Sequence, residues 1–195
     1  MPYTIEEHQH RFAAWAAATA ASSRKDFRFR VEFGVCLLEQ SGFDENFSCN
    51  DLGNPQEIDS LHRTWCRNIL FCAEQGLNTG LSYGIVAKLV NCYLKARFVC
   101  SGLCHDERVK VLHPPIDRIL LQELNEQNEE FLCPDVLNQL RQVGEVDRLV
   151  EAFPSWSYFN EDQYQIVINR IRDCFHDDVQ DGFWKIEKYW KGYQG

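Results

Sequence analysis

The segment from Ser82 to Lys95 reads Ser-Tyr-Gly-Ile-Val-Ala-Lys-Leu-Val-Asn-Cys-Tyr-Leu-Lys and leaves almost no polar circumference if it is helical. Wound at about 3.6 residues per turn, Gly84, Lys88, Asn91 and Lys95 share one narrow stripe, while Ile85, Val86, Leu89, Val90, Tyr93 and Leu94 cover the rest. A helix that is apolar nearly all round is a buried one, so the other elements have to be arranged about it. Its lysines then either snorkel outward along their methylene stems or line an internal cleft. A partly desolvated amine in a cleft is a candidate nucleophile.

The remainder of the chain is also helical in pattern. Thr4 and Glu7 make a capping box ahead of Phe12-Ala13-Ala14-Trp15-Ala16-Ala17-Ala18, a run of strong helix formers. A second pattern, Val31 to Gln40, stops at Ser41-Gly42, where glycine can close a helix. A third starts near Asn54-Pro55 and passes through Leu61, Trp65, Ile69 and Cys72 to Gly76. Beyond the central segment, helices are expected over roughly 114–125, 134–150, 161–174 and 183–193. The best period-two stretch, Arg108 to Leu112, is short. The fold expected is all-α, with roughly eight helices in one compact domain spanning residues 1–195. A two-lobed arrangement, with an amino-terminal lobe over residues 1–50, is the alternative.

A net charge of −9 argues against holding nucleic acid by bulk attraction, because phosphate contacts come from clustered Lys and Arg. Any such role needs a local basic patch. The candidates are the run Arg24, Lys25, Arg28 and Arg30, and the set Lys88, Lys95, Arg97, Arg108, Lys110 and Arg118 around the central segment. The nine cysteines are odd in number and several sit within helical patterns, which fits reduced thiols. No stretch approaches the roughly 18 apolar residues of a membrane helix, and the first residues lack a basic leader with an apolar core. A cytoplasmic protein without membrane attachment is expected.

A second constellation is His113-Pro114-Pro115-Ile116-Asp117. Proline favours the first turn of a helix, so a helix starting at about Pro114 would put the Asp117 carboxylate near its positive end. A carboxylate beside a desolvated amine is a common way to build a nucleophile with a charge stabiliser. The plainer reading of the same residues is an aspartate that caps its own helix and lysines that snorkel.

Gly84-x-x-x-Lys88 at the start of a helix, Lys95 seven residues on, and a Pro-x-Asp117 helix start about thirty residues later resemble the helix–hairpin–helix superfamily of DNA glycosylases. The archaeal 8-oxoguanine glycosylase branch is the most similar, and the resemblance covers residues 76–124. It implies that Lys88 is a Schiff-base nucleophile, Asp117 the catalytic aspartate, and Lys95 a supporting base or phosphate contact. The implied partner is double-stranded DNA carrying a modified base, met by a monomer in DNA repair or in defence against phage with modified DNA. Phosphates would be met by Lys95, Arg97, Arg118 and amides near Gly80 and Gly84, and strand cleavage by β-elimination could follow base loss. A flipped base would meet Ser82, Tyr83, Asn91, His113 and Gln122, with Trp156 as a stacking surface.

The chain departs from that family in two places. Gly80-Leu81-Ser82-Tyr83-Gly84 replaces the usual Leu-Pro-Gly-x-Gly hairpin, and the cysteine spacings do not form the four-cysteine cluster of some members. Cys100-Ser101-Gly102-Leu103-Cys104-His105 looks like half a zinc site with no second pair of ligands. No metal or other cofactor is therefore expected. The competing class is a non-enzymatic helical protein-interaction module in which the Lys/Asp pair is structural.

Overall fold

The computed structural model describes residues 2–22, 29–76, 80–142 and 155–193, and all regular structure among them is helical. The α-helices are α1 (Ile5–Ala21), α2 (Val31–Gln40), α3 (Ile58–Gly76), α4 (Tyr83–Leu94), α5 (Glu107–Lys110), α6 (Arg118–Gln127), α7 (Pro134–Gln142), α8 (Glu161–Cys174) and α9 (His176–Val179). Single 3₁₀ stretches lie at Cys49–Leu52, Pro55–Glu57, Trp156–Tyr158 and Phe183–Tyr189, and α4 runs on as a π-helical stretch, Lys95–Leu103. The all-α expectation holds, and no helix among the described residues is long and apolar enough to cross a membrane.

As its sequence demands, α4 is the central element. Every one of its residues except Cys92 is buried. The Thr4 hydroxyl caps α1 by accepting from the Glu7 amide at 3.2 Å, and Ala13, Ala14, Ala17 and Ala18 lie wholly buried on the face turned toward α4. Alanines let two helix axes approach closely, and Gly34 does the same for α2, where an added Cβ would stand 2.8 Å from that of Ala18. Both α1 and α2 thus feed the core that α4 occupies, with Leu37 and Leu38 joining it, so residues 1–50 have no separate core among the described residues. Below α4, Tyr93, Phe43, Phe47 and Trp65 pack as tilted and edge-to-face rings.

The structure moves three expected boundaries. Asp117 is the N-cap of α6, its Oδ1 accepting from the Leu120 amide at 2.9 Å, so the helix starts at Arg118 and not near Pro114. A proline disfavours the α conformation in the residue before it, and Pro114-Pro115-Ile116 accordingly stays outside the helix. The alternating stretch from Arg108 becomes the turn α5, because Asp106 caps it by accepting from the Arg108 amide at 2.9 Å. The carboxyl-terminal helix is a 3₁₀ stretch that stops at Tyr189. The expected continuation of α7 to Val150 and the basic run at Arg24, Lys25 and Arg28 fall outside the described residues.

His62 and His113 are buried in contact with each other, their ring centroids 4.4 Å apart. Burial pushes both imidazoles below the ordinary 6.5, and the neighbouring His113 adds to this for His62. Burial alone would raise the Asp59 carboxyl, but bonds from Arg172 and His113 outweigh it and hold Asp59 well below the usual range. The imidazoles are therefore neutral when folded and become charged in the unfolded chain below about 6.5. Their stabilising contribution is complete above that pH and is lost as pH falls through and below it. The melting temperature should drop between about pH 7 and pH 5, before the carboxylates titrate, and changing His62 and His113 to Gln should flatten the slope. An unchanged slope in the double variant would refute the assignment.

Candidate active site

The first turn of α4 is built to hold another piece of chain. Ser82 caps it, its Oγ accepting from the Ile85 amide at 3.2 Å and donating to the Ser157 carbonyl at 2.6 Å. The Gly84 amide donates to the Phe159 carbonyl at 2.9 Å, and a Cβ on Gly84 would lie 2.0 Å from the Trp156 carbonyl oxygen. Only glycine permits that approach. The clamp brings the Trp156 indole over Lys88, whose Nζ lies 4.5 Å from a ring centroid, a cation–π distance.

Lys88 Nζ donates to Asp117 Oδ2 at 3.3 Å, and the two side chains are only 9% and 15% exposed. The same Oδ2 accepts from the Trp190 indole N–H at 3.1 Å, while Oδ1 caps α6. One carboxylate thus caps α6 with one oxygen and meets Lys88 and Trp190 with the other. Lys88 does not snorkel.

Lys88 and Asp117 stand in the wall of a cleft of about 250 Å³, lined also by Cys92, Lys95, Glu187 and Trp190 and by Ala16 and Ala20 of α1. Lys95 pairs with Glu187, and its Nζ lies 5.9 Å from the Trp190 ring centroid. Burial pushes the Glu187 carboxyl up, with Lys95 pulling the other way. Burial works against the Lys95 ammonium, but the Glu187 charge and hydrogen bond outweigh it and raise the amine. Two amine–carboxylate pairs therefore line one cleft, seven residues apart on one helix. Burial also pushes the Cys92 thiol up to about 11, so it is an unreactive wall.

Other candidate residues go elsewhere. Asn91 is fully buried and faces the core; on a helix it is Cys92, one turn on from Lys88, that shares the cleft. His113 is buried against Tyr164 and Asp59, and Tyr83 packs edge-on against His62. Gln122 is half-buried on α6 and does not line the cleft. Arg97 sits two residues past Lys95, on the far side of the helix, where it donates to the carbonyls of Glu6, Glu45 and Phe47. That corrects its placement as a phosphate contact, since its guanidinium is buried and committed to backbone. The Gly84 amide is likewise taken, by Phe159. Gly80 is exposed with φ of 62°, and Arg118 is exposed beside Asp117.

Sequence reasoning missed Glu187 and Trp190, which arrive from a stretch 73 residues beyond Asp117 in the case of Trp190. No spacing rule links positions so far apart. Among the described residues no group of three or more His, Cys, Asp or Glu side chains forms a metal site, and all nine cysteines are free thiols. No family model, curated protein or solved structure matches this chain.

What the cleft offers chemically is an amine with a proton acceptor at hydrogen-bond distance, covered by the Trp156 face, with the Trp190 indole N–H on the same carboxylate oxygen; Trp156 itself does not line the cleft. Its assembly depends on the clamp at Gly84. Gly84→Ala should destabilise the fold by about 1–3 kcal/mol, because a main-chain carbonyl has to move. Gly76→Ala, which meets nothing, should stay within about 0.5 kcal/mol of wild type. Denaturant unfolding that finds the two variants equal would remove the clamp from the account.

Proposed function

We propose that this chain is a DNA N-glycosylase that works through an imine on Lys88 and acts on a modified base in double-stranded DNA. The observation that carries this reading is the contact between Lys88 Nζ and Asp117 Oδ2 beneath the Trp156 face, in the wall of a cleft. A flipped nucleotide enters with its base between aromatic surfaces. Asp117 Oδ2 takes a proton from the amine, the nitrogen lone pair forms a bond to C1′, and the C1′–N bond to the base breaks. The base leaves with that electron pair and picks up a proton; the sugar ring opens to the imine. Removal of a C2′ proton then expels the 3′ phosphate by β-elimination, which is the lyase step. The proton picked up by the base is the one Asp117 holds, and the carboxylate charge restored in that transfer stabilises the iminium that forms as the sugar ring opens.

Sodium borohydride trapping on a duplex bearing an abasic site tests this directly. Lys88→Gln should abolish the covalent product, while Lys95→Gln only weakens it, since Lys95 belongs to the second pair. Asp117→Asn keeps a capping oxygen but turns its amide NH₂ toward Lys88 and Trp190, so it should stay folded with a lowered melting temperature while losing most of the trapping rate. Trapping by Lys88→Gln at the wild-type level would end the assignment.

Duplex binding in this reading is weak and falls only gently with salt, because the body carries a net charge of −9 and, with Lys95 and Arg97 engaged within the protein, few phosphates are neutralised. The contacts proposed are Arg118, exposed at the start of α6, and the main chain at Gly80. Arg118→Glu should weaken binding to duplexes of any sequence, since phosphates carry no base identity. Affinity across a salt series that ignores both salt and this change points away from DNA. The second reading, a protein-interaction module, draws on Ile5, Phe12 and Trp15, which are exposed along α1. Wild-type protein that forms no trapped product would favour it.

A further inference from the structure

The segment His113–Ile116 delivers Asp117 to Lys88, yet its own backbone has little to hold it. Pro114 and Pro115 have no N–H, and among the described residues no backbone–backbone hydrogen bond outside the helices involves residues 113–116. One side chain compensates. Asn91, three residues on from Lys88 in α4, donates from Nδ2 to the Pro114 carbonyl at 2.9 Å.

The orientation of that amide is fixed by its neighbours. A carbonyl can only accept, so Nδ2 must face Pro114, and Oδ1 accepts from His62 Nε2 at 2.8 Å. Nδ2 also donates to the Tyr164 hydroxyl at 2.9 Å. Tyr164 in turn donates to His113 Nδ1 at 3.0 Å, and His113 Nε2 donates to Asp59 Oδ1 at 2.8 Å. Arg172 completes the chain with bonds to both Asp59 oxygens at 2.7 and 2.6 Å. Every proton in this buried series is assigned one direction, from His62 toward the Asp59 carboxylate. Reversal of Asn91 would leave two carbonyl oxygens facing each other and a ring N–H facing an amine.

From this geometry we propose that Asn91 is a positioning residue: by holding the Pro114 carbonyl it sets the register of the Pro114–Asp117 segment against α4, and with it the contact between Asp117 and Lys88. Its functional arm rests on the glycosylase reading, while its structural arm does not. In Asn91→Leu, which keeps the branched shape and loses both donors and the acceptor, the Leu120 amide held by Asp117 should exchange with deuterium about tenfold faster relative to the Val90 amide inside α4. Tyr164→Phe breaks the buried series yet keeps the Pro114 tether, and it should leave that ratio within about twofold of wild type.

The same variants are then tested by cyanoborohydride trapping on an abasic duplex. Asn91→Leu should lower the rate at saturating protein about tenfold, with the half-saturating concentration within about twofold, while Tyr164→Phe stays near wild type. Equal effects of the two variants on the exchange ratio would reduce Asn91 to a general stabiliser and overturn the proposal. An unchanged ratio in Asn91→Leu would overturn it as well. Wild-type protein that traps nothing refutes the glycosylase reading alone, because the exchange comparison still decides the role of Asn91. If Asn91→Leu fails to fold, Asn91→Ser, too short to reach the Pro114 carbonyl, takes its place with the same expectations.

Discussion

The absence of a solvent face on α4 is the constraint on which the rest of this structure depends. A helix buried all round has to be enclosed, and each neighbour solves part of that problem: alanines on α1, a glycine on α2, aromatic rings beneath Tyr93, and the Trp156–Phe159 stretch over its first turn. Enclosure also decides what polar groups on α4 can be. Burying an unpaired amine or amide costs several kcal/mol at the upper end of the usual range, so Lys88, Asn91 and Lys95 each need dedicated partners. They have them in Asp117, in Pro114 with His62 and Tyr164, and in Glu187. The candidate site is thus a direct outcome of placing Lys88 and Asn91 on a helix with nowhere to expose them, with the half-buried Lys95 just past its end.

Asp117 illustrates why capping and chemistry are not competing explanations. A carboxylate has two oxygens, and a helix cap uses one. The other is turned into the cleft, where it receives the Lys88 amine and the Trp190 indole. Anchoring one oxygen to the start of α6 costs the second nothing in freedom that it needs, and it removes rotamers that would point away from Lys88. A group fixed in this way is pre-organised, which is the property that a charge stabiliser requires.

Much of this was legible in the sequence because it depended on local pattern. The periodicity of Ser82 to Lys95 marked the central helix, while the pairing of Lys88 with Asp117 came from the resemblance to a glycosylase family, the residues alone leaving capping and snorkelling as the plainer reading. The start of α6 was misjudged by a few residues because the second proline holds the one before it out of the helix. Asn91 was grouped with the lysines by a stripe drawn too wide; a shift of one position along a helix separates cleft from core. Glu187, Trp190 and the carbonyl partners of Arg97 are contacts between distant parts of the chain, and no local pattern encodes them.

The pairing of cations with acids across this surface has a kinetic consequence. Arg11 is matched with Glu7, Arg67 with Glu161, Arg108 with Asp106, Lys110 with Glu107, Lys185 with Asp181 and Lys188 with Asp178. Charges neutralised within a few ångströms project little field beyond the Debye length, about 8 Å at physiological salt. An approaching polyanion would therefore meet no long-range attraction and, with the net charge of −9, a net repulsion, so its encounters would fall below the unsteered rate of about 10⁵–10⁶ M⁻¹s⁻¹. Recognition at such a surface rests on short-range contacts made after collision, not on steering from a distance.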